Sequence, residues 1–149
     1  MKKLVILVTL LLTILTGCGQ IVVAKDDEIK IAVKNSTDAD IRTMVMCYCV
    51  NEEPLGVMRF NAIDESVLKG IHSFMFDEKS FPEGCERENL SFNILLLDYV
   101  GFDIYESVDP QHARETNDMY IDKREYGKVY YYELTGSFEE GFQLTEMKK

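Results

Sequence analysis

From Glu28 onward the apolar residues recur at every second position, not at every third or fourth. Ile29, Ile31 and Val33 alternate with Glu28, Lys30, Ala32 and Lys34, the pattern of a strand with one face buried. Residues 41–50 are apolar on both faces, Ile41, Val45, Cys47 and Cys49 on one and Met44, Met46, Tyr48 and Val50 on the other. That pattern predicts a central strand covered on both sides. An edge strand is predicted over 57–63, and alternation returns over 71–76, where Ile71, Ser73 and Met75 oppose His72, Phe74 and Phe76. Residues 90–98 are the most apolar stretch beyond the first eighteen, with Phe92, Ile94 and Leu96 facing one way and Leu95 and Leu97 the other. Shorter strands are predicted over 102–107, 119–121, 128–134 and 141–147.

Between these segments lies turn chemistry. Asn35-Ser36-Thr37-Asp38-Ala39-Asp40 carries short polar side chains that bond their own backbone. Residues 51–56, with Pro54 and Gly56, read as a loop, as do the polar stretches 77–89 and 108–118. Residues 64–70 offer a single short helix start, with Asp64 or Ser66 as cap and Gly70 as stop. No segment sustains a 3.6-residue period, so the expected class is all-β: an antiparallel sandwich of about seven to eight strands spanning residues 28–149.

The first eighteen residues follow different rules. Lys2 and Lys3 precede an apolar run from Leu4 to Leu15 broken only by Thr9 and Thr13. Twelve helical residues span about 18 Å, well short of the ~30 Å hydrocarbon core of a bilayer. The run reads as the h-region of an export signal, not as a spanning helix. It ends in Leu15-Thr16-Gly17-Cys18, which resembles the lipobox of bacterial prolipoproteins. The resemblance implies that Cys18 receives a diacylglyceryl group and that a signal peptidase cuts after Gly17. It therefore implies a signal peptide over 1–17, a lipidated Cys18 with a tether over 18–27, and a bilayer as partner on the extracytoplasmic face of the cell membrane. Two acyl chains give stable anchoring where one gives only reversible binding. Gly19 stands where an Asp would mark inner-membrane retention in two-membrane bacteria. The nine residues from Gly19 to Asp27 reach about 30 Å when fully extended.

A second resemblance covers the region after the leader. The segments Lys34-Asn35-Ser36-Thr37, Leu68-Lys69-Gly70, Phe92-Asn93-Ile94 and Leu97-Asp98-Tyr99-Val100-Gly101 resemble those of small Ig-like sandwich domains in uncharacterised bacterial lipoproteins. An Ig-like topology is what this implies. The chain holds no Trp, so the antibody-type Cys, Trp, Cys framework is absent.

Charge narrows the partners. The 149 residues carry a formal net charge of −10. Loss of residues 1–17 removes Lys2 and Lys3 and no acid, leaving 14 basic against 26 acidic groups and a net charge of −12. Nucleic-acid binding depends on cationic neutralisation of phosphates, so no nucleic-acid partner is expected. Cys47, Cys49 and Cys85 remain besides Cys18, an odd number for an exported chain. Cys47 and Cys49 share a strand face and do not bridge each other without distortion. The open alternatives are a disulfide from Cys85 to Cys47 or Cys49, or three small apolar or loop thiols.

Candidate chemistry is thin. Cys47, Cys49, Cys85 and His72 are residue types of a tetrahedral zinc set, but Cys-Tyr-Cys sits inside a strand and not on a turn. Asp98, Asp103 and Asp109 flank loops without an Asp-x-Asp-x-Asp-Gly pattern and read as solvated turns. No metal and no cofactor is expected. His72 and His112 are the two candidate bases for nucleophilic catalysis, and no catalytic motif surrounds either. The carboxylate pairs Glu52-Glu53, Asp64-Glu65 and Glu139-Glu140 are adjacent, which sends them to opposite faces of a strand. In Tyr130-Tyr131-Tyr132, Tyr130 and Tyr132 share a face with Leu134, giving either core packing or a surface that stacks on sugar or peptide.

The expectation is thus a binding or protein-interaction module at the cell envelope, with an envelope protein or a polysaccharide as its ligand. The competing readings are an envelope hydrolase and a structural spacer or immunity-type partner. A concave, aromatic-lined patch with tyrosines favours the first. A histidine within reach of Ser, Cys or a carboxylate in a cleft favours the second.

Overall fold

A computed structural model describes residues 21–64, 66–85, 89–101 and 111–148. Among these residues are nine strands: β1 Ile29–Asn35, β2 Thr43–Val50, β3 Glu53–Asn61, β4 Gly70–Phe76, β5 Leu90–Leu97, β6 Ala113–Glu115, β7 Met119–Ile121, β8 Val129–Ser137 and β9 Gly141–Glu146. The fold is all-β, and the one helical turn among the described residues is the 3₁₀ segment Glu78–Ser80.

The strands form two sheets. One has the order β4-β1-β8-β9; the other has β3-β2-β5-β6, with β7 also pairing β5. Their facing surfaces share one core, where Ile29, Ile31 and Val33 of β1 meet Met44, Met46 and Val50 of β2 and Leu90, Phe92, Ile94 and Leu96 of β5. Aromatic rings bridge the layers. Phe60 on β3 lies 4.8 Å from Phe74 on β4, and Phe92 on β5 lies 5.2 Å from Tyr132 on β8, both edge to face. The molecule is a β-sandwich.

Strand periodicity accounts for β1, β2, β4, β5, β7, β8 and β9 within a few residues of the expected bounds. β2 is central, between β3 and β5, and is closed on both faces: Met44 and Met46 are buried inside, Thr43 and Val45 outside. The predicted Asn35 turn also forms, since the Asn35 carboxamide accepts from the Thr37 amide at 3.0 Å and donates to the Leu68 carbonyl at 2.6 Å.

Four expectations are corrected. The sandwich is not wholly antiparallel, because β1 pairs β8 in parallel register, Ile31 opposite Tyr130 and Val33 opposite Tyr132. The loop expected over 51–56 shrinks to Asn51 and Glu52, with φ of 50° and 68°, and β3 starts at Glu53. Pro54 is accommodated because β3 is an edge strand, and Leu55 bulges where the register steps from Tyr48–Gly56 to Cys49–Pro54. The short helix start over 64–70 yields to tertiary bonding: the Leu68 amide donates to the Ile41 carbonyl at 2.7 Å and Leu68 enters the core. β6 arises inside the stretch read as a polar loop, paired to the end of β5. The strand expected over 102–107 lies outside the described residues.

Candidate functional site

A recess of about 370 Å³ opens at one end of the sandwich, where the β4–β5 connection meets the β7–β8 connection. Glu78, Lys79, Phe81, Pro82, Cys85 and Tyr126 line it. Local chemistry sets its rim. Asp77 caps the 3₁₀ turn by accepting from the Ser80 amide at 3.0 Å, while the Ser80 hydroxyl accepts from the Asp77 amide at 3.1 Å.

Arg124 lies behind two of the lining residues, Phe81 and Cys85. Its side chain is 1% exposed, its guanidinium sits 3.8 Å above the Phe81 ring, and it donates to the Cys85 carbonyl. Phe81 in turn stacks on Phe76 at 5.6 Å, and Phe76 meets Tyr48 edge to face at 5.1 Å. An unbroken column of rings therefore joins the recess to the core. A buried guanidinium on an aromatic face is held by both quadrupole attraction and hydrogen bonding.

The three tyrosines divide their roles. Tyr130 is buried, with its hydroxyl accepting from the Glu125 amide at 3.1 Å and donating to the Lys123 carbonyl at 3.2 Å. It therefore fixes the loop that carries Arg124 and Tyr126. Tyr132 packs on Phe92 in the core, where burial pushes its phenol far above the ordinary range. Of the two alternatives open for Tyr130 and Tyr132, core packing is the one formed, while Tyr126 lines the recess and Tyr120 a second hollow beside Asn51 and Glu52. The aromatic wall of the recess comes from loop residues that strand periodicity does not single out.

Cys47, Cys49 and Cys85 are free thiols. Cys47 and Cys49 lie on the outer face of β2 while Cys85 packs against the core, so the bridge from Cys85 to either is not formed. Burial raises the Cys47 thiol above its ordinary value, which suppresses the thiolate. Among the described residues no group of three or more His, Cys, Asp or Glu is gathered to hold a metal ion. Asp103 and Asp109 lie outside them.

The histidines stand apart. His72, on β4, lies 5.6 Å from the Phe60 ring in a shallow groove with Leu68 and Lys69, its Nε2 buried without a hydrogen-bond partner. His112 Nδ1 is 2.8 Å from Asp98 Oδ2, and the Asp98 amide donates to the His112 carbonyl at 3.3 Å. This second pair staples the end of β5 to the approach to β6.

The outer face of the β4-β1-β8-β9 sheet carries the N-terminal segment. The Tyr131 hydroxyl donates to the Val22 carbonyl at 3.0 Å and the Lys30 ammonium to the Val23 carbonyl at 2.8 Å. Lys25 and Lys30 both bridge to Glu28, at 3.2 and 3.4 Å. The backbone bond from Lys25, the largest cause, and both lysine contacts hold the Glu28 carboxyl below its ordinary value. Among the described residues no helix is long and apolar enough to cross a membrane.

No protein-family model matches the sequence, and no curated protein matches it. Among solved structures the chain is similar to the crystal structure of listeriolysin O, with a TM-score of 0.38 and 14% identity over 82% of this chain and 22% of that one. It is also similar to the crystal structure of a Gram-negative toxin, with a TM-score of 0.36 and 11% identity over 81% and 23%. A disulfide-locked mutant of intermedilysin with human CD59 aligns with a TM-score of 0.34 and 9% identity over 80% and 24%. The chain thus spans less than a quarter of the length of each.

Proposed function

We propose that this protein is an extracytoplasmic lipoprotein, anchored through acylated Cys18, whose β-sandwich is a binding module at the cell envelope. The observation that carries the anchoring is the order Lys2-Lys3, apolar run, Leu15-Thr16-Gly17-Cys18. The recess supports the binding role: Phe81 and Tyr126 offer apolar surface beside the charges of Glu78 and Lys79, the mixture that takes a polar ligand with an apolar face. An exposed protein segment or a polysaccharide of the envelope has that chemistry. The Ig-like relationship of the sandwich belongs to the same proposal and is supported by its two packed sheets of short strands.

Metabolic labelling with a fatty acid tests the anchor. The natural protein takes up label and partitions with membranes, and Cys18→Ala loses both while retaining its leader. Equal incorporation into the variant overturns the reading.

A further inference from the structure

We propose that the outer face of the β4-β1-β8-β9 sheet is the side of the domain that lies against the lipid bilayer. This rests on the anchoring of Cys18 proposed above and adds an orientation to it.

Reach constrains the domain first. A free tether ending at Asp27 lets the domain turn within about 30 Å of its anchor. The chain is instead fastened at Val22 and Val23, by the Tyr131 hydroxyl and the Lys30 ammonium, to the outer face of this sheet. Four residue steps separate Cys18 from Val22, a span of at most about 14 Å. The second sheet stands about 10 Å further away, so the fastened segment presents the first sheet to the membrane.

Surface chemistry favours the same side. Ile21 is 85% exposed and Val23 67%, and both sit where the chain runs from the sheet toward its anchor. Met75 on the same outer face, at 47%, is no more exposed than Val57 on the opposite one, at 48%, so Ile21 and Val23 are what set this side apart. Apolar side chains in these positions enter the boundary between headgroups and acyl chains. Charge points the same way. The body is acidic, with a net charge of −12 after the leader, yet on this face Lys25, Lys30 and Lys34 are paired with Glu28 and Glu133, which leaves no acidic excess among these groups. Glu133 is itself engaged, accepting from the Ser36 hydroxyl at 2.7 Å and lying 3.4 Å from the Lys34 ammonium. Anionic headgroups repel the rest of such a molecule and tolerate this side.

The chain holds no Trp, so a single introduced Trp reports its own depth. Full-length protein carrying Met75→Trp, or Val57→Trp on the outer face of the other sheet, is processed in cells and reconstituted in phosphatidylcholine–phosphatidylglycerol vesicles with brominated acyl chains. Acylation of Cys18 is verified by mass spectrometry. The expected result is about two-fold quenching at position 75 relative to unbrominated vesicles and none at position 57, the contrast between an interfacial and a water-facing side chain. Acylated protein with equal quenching at both positions, with none at either, or with dimers through the position-75 face overturns the orientation and leaves the anchor intact. Protein found without an acyl group overturns both.

Discussion

Arg124 keeps a charged side chain inside a small sandwich, with the Phe81 ring below it and the Cys85 carbonyl beside it offsetting part of the cost of losing water. His72 solves the same problem by shedding its charge. Burial, partly opposed by a backbone bond at Lys69, holds its imidazole below the ordinary value of 6.5. As the pH falls through that value the unfolded chain binds a proton that the folded chain refuses, so the contribution is full above it and is lost toward the folded-state value. The carboxyls of Glu28 and Glu133, held low by their hydrogen bonds and lysines, withdraw their support only as the pH falls through and below 4.5. The urea midpoint of the natural protein is therefore expected to drop relative to that of His72→Phe, a variant that suits the ring contact with Phe60, as the pH falls below about 6.5. An unchanged slope in the variant would overturn that assignment. The sequence showed His72 as a strand residue but not its burial, because burial depends on Phe60 arriving from another strand. Arg124 and Tyr126 were silent for the same reason: nothing near them in the chain announces Phe81 or Cys85.

At the scale of elements, alternation carried the reading where strands are long. Ile29, Ile31 and Val33, or Phe92, Ile94 and Leu96, face one core because the period of two leaves them no other arrangement. Alternation failed at the β2–β3 hairpin, where Pro54 and Gly56 looked like loop residues and instead lie in an edge strand that tolerates both. The true reversal is Asn51-Glu52, with both residues at positive φ, the geometry of a type I′ turn. Glutamate is strained in that conformation, so Glu52→Gly is expected to raise stability by about 1 kcal/mol in chemical denaturation, with Glu52→Ala giving no such gain. Gly136 marks the opposite case. Its φ is +105°, and a Cβ there would stand 2.2 Å from the Gly141 carbonyl oxygen, which keeps the β8–β9 hairpin closed to any side chain.

Across the whole molecule, the all-β class and the two-layer packing were legible, whereas the pairing of strands was not, since period says which way a side chain faces and never which strand lies beside it. The clearest instance is β1. Its neighbours are β4 and β8, and the latter runs parallel to it, with Lys34 and Glu133 in register across 99 residues of chain. A chain ending at Gly127 leaves β1 bonded on one side and strips Tyr132, Leu134, Phe142 and Leu144 from the core. Such a fragment is expected to show no cooperative thermal transition by circular dichroism, and a sharp transition would show that β1–β7 fold without the last two strands.

The same distance has a cost in time. Contacts this remote in sequence close slowly, because the intervening loop must be gathered first. In a polypeptide threaded leader-first through a secretion channel, as the proposed export requires, β1 emerges long before β8, and the edge of β1 that pairs β8 stays open until the final strands come through. On the export route proposed above, maturation of this domain ends at the far side of the channel, where a chaperone that shields the open edge of the first strand would have its longest opportunity to act.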